Sequence, residues 1–299
     1  FGSESAKYET LAERTVMELS AVCFRPLPPE LVFAKLDDDR KREYDAYISI
    51  PQLMGENGDP APGIVTTHDK FAISFSKGEQ IEKVEALLAT RTEADARKLF
   101  TLCSQNQWVY ADAKRALRTE DWRKELVPIL YRPFDIRWTV YSRYVAVHRR
   151  ERVSRHLLAG RSVALITCRQ RSSQDDWAQV LCTMRPAEST AISNKTKEIN
   201  YLFPLWLEPA WPETTRRPNL SSIGIRQLLS AVGLSFVQQT VSTGRDGRGD
   251  LKATFGPRDV FDFVYAILHS VEYRRRYTDF RKSDFARVPM TPPRSLFRA

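Results

Sequence analysis

No stretch of the 299-residue sequence comes near the ~20 consecutive apolar residues of a membrane-spanning helix. The longest apolar runs, such as Ser162-Val-Ala-Leu-Ile-Thr167, have the length of a strand. Cysteine is scarce. The four present, Cys23, Cys103, Cys168 and Cys182, are far apart and form no C-x-x-C pair, which points to reduced, mostly buried thiols of a cytoplasmic protein. Four histidines, none at metal-ligand spacing, disfavour zinc. The first residues, Phe1-Gly-Ser-Glu-Ser5, lack an initiator Met and a signal-peptide pattern, so the chain reads as a piece of a longer polypeptide. With 42% apolar residues at this length, a core can form without a disulfide or a metal.

Catalytic signatures are missing as well. Neither G-x-x-x-x-G-K-[ST] nor G-x-G-x-x-G occurs, so no loop of the usual kind cradles a phosphate. The Pro-Pro pairs at 28–29 and 292–293 lack the neighbours of an amino-methyltransferase tetrapeptide. Two fragments imitate nuclease motifs. Asp250-Leu-Lys252 has D-x-K spacing with Asp246 upstream, but both acids lie in a Gly-rich loop instead of on neighbouring strands that hold Mg²⁺. His68-Asp-Lys70 has H-x-K spacing without the following Asp or a second copy. Cys168 lies in an apolar strand while His148 and His156 belong to an Arg-rich stretch, so no Cys/His nucleophile assembles.

Acidic residues nearly vanish from one window. Residues 131–171 hold ten Arg, no Lys, one Asp and one Glu, a local +8 that accounts for nearly all of the formal +9. Residues 1–50 carry a local −3. The excess implies an anionic partner, most often nucleic acid. Tyr131, Phe134, Trp138, Tyr141 and Tyr144 interleave with the arginines, so the window is expected to fold and not to trail as a charged tail. With two acids for ten arginines, pairing inside the window leaves most of them for an external anion.

Periodicity predicts a helix over 5–20, then a break at Pro26, Pro28 and Pro29. Tyr47–Ile50 reads as a short strand, and Ile64–Thr67 and Phe71–Phe75 read as two strands around a tight connection at 68–70. Residues 77–120 are the most helical part. Strands are expected at Val127–Leu130, Ile136–Tyr141, Ser162–Cys168, Trp177–Cys182 and Ile199–Leu207. A helix over 149–158 should end at Gly160, another should span 221–231, and a last element should run from Pro257 to about Lys282. The expected fold class is α+β, with a central, mostly antiparallel twisted β-sheet flanked by helices and helical N-terminal and C-terminal segments. Residues 1–45 are expected to form a helical or linker segment leading from an upstream domain. Residues 46–126 should form a strand pair plus a helical subdomain, 127–292 a β-rich recognition core with a C-terminal helix, and 293–299 a tail.

The arginine window has three parts. Pro133 restricts Arg132 to an extended conformation, with Asp135 close enough to orient a guanidinium. His148–Arg155 is expected to be helical, placing His148 and Arg152 on one face. Thr167-Cys-Arg-Gln-Arg-Ser-Ser-Gln174 follows an apolar strand with side chains suited to reading guanine and adenine edges.

These segments resemble a known series. Tyr131-Arg-Pro-Phe-Asp-Ile-Arg-Trp138, His148-Arg-Arg, Leu165-Ile-Thr-Cys-Arg-Gln170, Tyr201-Leu-Phe-Pro-Leu205, Tyr265–Tyr277 and Asp284-Phe-Ala-Arg-Val-Pro289 are similar to the C-terminal target-recognition domain of Type ISP restriction-modification enzymes and their single-chain relatives. Gly63-Ile-Val-Thr-Thr-His-Asp69 resembles the G-x-x-T-x-x-D stretch that follows the methyltransferase there. The resemblance covers about residues 27–292, and departs at Phe285-Ala-Arg287, where the family usually has Pro after Phe. It implies a double-stranded DNA-reading module with no activity and no cofactor of its own. In that family the module works beside an adenine-N6 methyltransferase domain, in cis or as a separate subunit, in an enzyme that uses S-adenosylmethionine, Mg²⁺ and ATP.

Residue roles follow as expectations. Arg169, Gln170, Arg171, Ser173 and Gln174 are assigned to base readout. Arg132, Arg143, Arg149, Arg150, Arg152, Arg155, Lys195, Lys197, Arg245, Arg248 and Lys252 are assigned to phosphates, with 244–252 as a mobile loop that orders on DNA. Thr66, His68 and Asp69 should face the methyltransferase or the duplex. The competing readings are an RNA-binding or protein-docking domain that uses the aromatics, and a metal-dependent nuclease built on Asp246 and Asp250.

Overall fold

Ser76 and Thr92 start two helices of the stretch expected to be most helical. In the computed structural model, which describes residues 3–19, 36–55, 61–104, 106–171, 179–193, 198–210, 212–238 and 247–298, Ser76 Oγ accepts from the Glu79 N–H and begins helix Lys77–Ala89. Thr92 and Asp95 cap helix Glu93–Phe100 reciprocally. A third helix, Tyr110–Thr119, completes the expected 77–120 stretch. Val84, Leu87, Ala96, Phe100, Ala113 and Leu117 bury together with Phe71 and Trp122. The chain divides into two units, Phe1–Arg42 and Glu43–Ala299. In the first, Ser3 caps a helix, Glu4–Glu13, that buries none of its side chains.

Strands Leu126–Arg132 and Asp135–Val140 form an antiparallel hairpin, irregular between Leu130 and Arg132 and turning at Pro133 and Phe134. Leu126, Val140, Val145 and Val147 pack with the helices above, so the apolar core does not divide at residue 126. The central sheet is separate and entirely antiparallel, in the order Ala61–Pro62, Asn200–Pro204, Ala164–Cys168, Val180–Thr183. Ala164–Cys168 is buried along its whole length. Leu165 joins Val180, Phe203, Phe255, Phe261, Val264 and Leu268 on one face, while Ala164, Ile166 and Cys168 join Leu130, Val153, Leu157 and Leu202 on the other. Burial on both faces is why this strand reads as an unbroken apolar run. Helices Ser222–Val232 and Pro257–His269 supply the first face, and Ile48–Ser49 pairs with Arg287–Val288 beside it. The result is the expected α+β class. No described helix is long and apolar enough to cross a membrane.

Three elements differ from expectation. Phe71–Phe75 is not a strand: Asp69–Ala72 is a helical turn, because Thr67 at φ +60° bends the chain out of extended geometry. Ile64 and Val65 instead bridge Glu188 and His148. The helix over 149–158 shrinks to one turn, Glu151–Ser154, since Arg150 sits at φ +49° and His148 is held extended by Val65. His148 and Arg152 therefore share no helical face. The last element breaks at Ser270, whose side chain caps a new helix, Val271–Arg276. Gly160 is left-handed as expected, at φ +65°.

Two stability predictions follow. A Cβ at Gly63 would lie 2.5 Å from the Ala187 carbonyl oxygen and 2.6 Å from that of Glu188, so Gly63→Ala should cost about 2 kcal/mol in urea denaturation. The Glu208 N–H donates to His156 Nδ1 at 2.8 Å, and burial first, then the Arg155 charge, pull the pKa of His156 down from 6.5 to about 4. Its imidazole is neutral in the fold while the unfolded chain takes up a proton below pH 6.5. Stability should therefore fall as pH drops from about 6.5 to about 4, with His156 contributing roughly 2 kcal/mol. His156→Asn, which keeps an acceptor, should remove that component from the pH profile of unfolding.

Candidate nucleic-acid interface

The hairpin tip is held by its own arginines. Arg132 Nη1 donates to Glu188 at 2.7 Å and lies 3.9 Å over the Tyr131 ring. The Glu188 carboxylate is buried and also accepts from Ser189 and Thr190. Arg137 Nε donates to both Asp135 oxygens, at 2.7 and 2.9 Å, with its guanidinium 3.5 Å over Phe75. Arg132 is thus committed to a partner within the chain, and so is Arg137. At the turn, Phe134 is 93% exposed and adopts φ +62°, a left-handed backbone costly for a bulky side chain.

Thr66, His68 and Asp69, expected to face the methyltransferase or the duplex, have partners within the chain, and the first two are buried. Thr66 donates to Asp69, whose other oxygen accepts from Tyr131 at 2.8 Å. Burial, then the Asp69 bond, push the Tyr131 phenol up to about 12. His68 is buried between Phe71 and Trp108, with Nε2 donating to the Val145 carbonyl at 2.9 Å and Nδ1 3.3 Å from Cys103 Sγ. Burial holds its pKa below the ordinary value. The three residues lock the hairpin to the helices.

The turn after His148 is more open. Arg149 donates to Glu151 at 3.1 Å and lies over Tyr141. Arg150 and Arg152 are exposed and Arg155 is half-buried. Arg152, Arg155, His156 and Arg217 line a pocket of about 170 Å³ together with Glu208 and Glu213. Arg143 is exposed and donates to the Tyr144 hydroxyl at 2.9 Å.

The end of the central strand brings three of the five base-reading candidates together. Arg169 and Gln170 are exposed just past the last ladder pair, Cys168 with Asn200. Arg169 Nε donates to Asp284 at 3.0 Å, and the Arg171 N–H donates to the Lys282 carbonyl at 3.2 Å. Arg281 lies behind them, buried; burial first, and among the neighbouring positive charges Arg171 most, lower its pKa. Ser173, Gln174, Lys195, Lys197 and Arg245 lie outside the described residues.

The expected mobile loop is pinned wherever it is described. Arg248 pairs with Asp259 at 3.2 Å and with Asp262, and the Gly249 N–H donates to Asp259 at 2.7 Å. Asp250 Oδ1 accepts from the backbone N–H groups of Lys252, Ala253 and Thr254 at 2.8–2.9 Å. Those bonds hold its carboxyl well below the usual range. The D-x-K spacing thus marks a loop clamp. Lys252 is exposed, with its carbonyl accepting from Arg294 and Arg298. Sequence reasoning missed Glu188, Asp284 and the Phe75 stack because each partner is more than fifty residues away. A sequence signal exists only for Asp284, which opens one of the quoted segments.

A family model described as the Type ISP C-terminal specificity domain matches residues 59–299. No curated protein matches the chain. Among solved structures, the chain is similar to one in the cryo-EM structure of a DrdV–DNA complex, at 16% identity and a TM-score of 0.66 over 98% of this chain and 28% of that one. It is also similar to LlaBIII, an ATP-dependent Type ISP restriction-modification enzyme bound to DNA, at 14% identity and 0.60 over 91% and 17%. A nuclease-deletion mutant of the Type ISP enzyme LlaGI, in complex with a DNA substrate mimic, aligns at 19% identity and 0.50 over 83% and 18%. At these identities the likeness concerns the fold, and the chain spans less than a third of each neighbour. The family match, by contrast, runs from residue 59 through the hairpin and central sheet to the end of the chain: the chain belongs to the Type ISP C-terminal specificity domain family.

Proposed function

We propose that the chain recognises a DNA target sequence, as the specificity module of a restriction-modification enzyme, without catalytic activity of its own. The observation that carries this reading is its membership of a specificity-domain family across residues 59–299. Structural neighbours described in complex with DNA or a DNA mimic support the same partner. The module would act in the cytoplasm beside an adenine-N6 methyltransferase, in cis or as a separate subunit. S-adenosylmethionine, Mg²⁺ and ATP would be used by those other parts.

In this reading Arg169, Gln170 and Arg171 meet base edges in the major groove, and the exposed Arg150, Arg152 and Lys252 meet phosphates. Arg132 and Arg248 are spent on the fold. Exposed Phe75 and Phe134 favour a second reading, stacking on single-stranded RNA. Tighter binding of single-stranded RNA than of duplex DNA at equal salt would select it.

Selection of duplexes from a random pool at fixed near-physiological salt should enrich one motif of several bases. No enrichment would sink the main reading. Arg152→Ala should weaken binding to all duplexes alike and flatten the salt slope by about one unit. Arg169→Ala should cost roughly 1–3 kcal/mol on the enriched duplex and relax the preference at one position. Arg132→Ala should instead lower folding stability by about 3 kcal/mol, because it strands the buried Glu188 carboxylate.

A further inference from the structure

Arg169 is held, among the described residues, through one nitrogen. Among the described residues its guanidinium contacts Asp284, by way of Nε, and nothing else. Toward the described residues its two Nη nitrogens make no bond; they are coplanar and side by side, the pair that matches O6 and N7 of guanine. A free arginine side chain carries about 2 kcal/mol of rotamer entropy that binding must remove. A guanidinium whose Nε is already fixed gives up less of it on reaching a base.

Asp284 is itself placed by the sheet that carries Arg169. The next residue, Phe285, is buried with its ring edge-on to Tyr201 at 5.1 Å and to Phe203 at 5.7 Å. Tyr201 pairs with Thr167, two residues before Arg169. Just upstream, the Lys282 carbonyl accepts from the Arg171 N–H, and just downstream Arg287–Val288 pairs with Ile48–Ser49. The carboxylate and the arginine therefore hang from the same pair of strands.

Stability does not explain this ion pair. Both side chains are 60% exposed, and exposed pairs contribute at most about 1 kcal/mol. A carboxylate on a surface that meets polyanionic DNA also carries a repulsive cost, so its presence there calls for a task. We propose that Asp284 is a positioning residue for sequence specificity, holding Nε of Arg169 so that the two Nη nitrogens present a preset fork to one guanine. The proposal rests on the DNA-reading role argued above.

The test uses the 299-residue chain, the duplex enriched from a random pool, and every single-base-pair variant of that duplex at one salt concentration. Asp284→Ala should reduce discrimination about tenfold at a single G·C pair, the same pair that Arg169→Ala relaxes. Discrimination at other positions and the salt slope should be unchanged. The double variant should be no worse than Arg169→Ala alone. Asp284→Asn, which keeps an accepting oxygen, should restore part of the discrimination, and Arg169→Lys, which keeps the charge without the fork, should not. If Arg169→Ala relaxes a position that Asp284→Ala leaves intact, or if Asp284→Ala weakens all duplexes equally, the positioning role is wrong while DNA reading stands. If the wild-type chain enriches no sequence, DNA reading fails and takes this role with it.

Discussion

The backbone crossing at residues 63–65 fixes the hairpin, the central sheet and the start of the Arg150 turn relative to one another. Ile64 N–H donates to the Ala187 carbonyl while the Ile64 carbonyl accepts from Ser189, and Val65 and His148 exchange both of their backbone bonds. Gly63 N–H reaches the Asn200 carbonyl, and Leu130 is bonded to Pro186 and Glu188 on the far side of the same segment. The hairpin, the central sheet and the start of the Arg150 turn thus share one hydrogen-bonded frame. It closes only because residue 63 has no side chain to push against the carbonyls of Ala187 and Glu188. Reading a duplex requires surfaces at a set spacing, and this crossing sets it through backbone bonds, which side-chain rotamers cannot relax.

Folding also redistributes the charge that the sequence concentrates. Counting acids inside residues 131–171 leaves most of ten arginines without a partner there, yet among the described residues at least five are ion-paired: Arg132 with Glu188, Arg137 with Asp135, Arg149 with Glu151, Arg161 with Glu208 and Arg169 with Asp284. Three of those five acids come from outside the window. A local count treats charge as though only neighbours along the chain could neutralise it, and an antiparallel sheet brings in residues a hundred positions away. The positive surface that remains is smaller and more particular than a +8 window suggests.

What was legible in the sequence follows the same division between local and distant causes. The helices from Lys77 to Thr119 could be read because apolar residues such as Ile81, Val84, Leu87 and Leu88 recur at helical spacing within the segment. The central strands could be read because burial on both faces leaves an apolar run. Thr67 and Arg150 could not. Each is a non-glycine residue in a left-handed backbone, a conformation its own side chain disfavours. Each flanks the 64–65 and 148 bridges, so the crossing that imposes the conformation is a tertiary feature. The end of the apolar strand just before Arg169 was legible from local pattern, whereas the carboxylate that Arg169 meets, Asp284, lies 115 residues away.

Exposure sorts these ion pairs into two kinds of work. The Glu188 side chain is 8% exposed and that of Arg132 21%; removing either partner leaves an uncompensated group in the interior, a cost of about 3 kcal/mol. Arg248 and Asp259 belong to the same kind, since the Asp259 side chain is 3% exposed and also accepts from the Gly249 N–H. The Arg169–Asp284 pair is screened by water on both sides, so its energy is too small to shape the fold. Its geometry is not diminished by exposure, however, because Phe285 and the Arg171 backbone bond hold both ends to buried strands. A contact that contributes little to stability yet is held by rigid supports can still act on direction. For a surface that must choose one base pair among four, the direction of a guanidinium decides more than the strength of its attraction, since phosphate attraction is the same at every site.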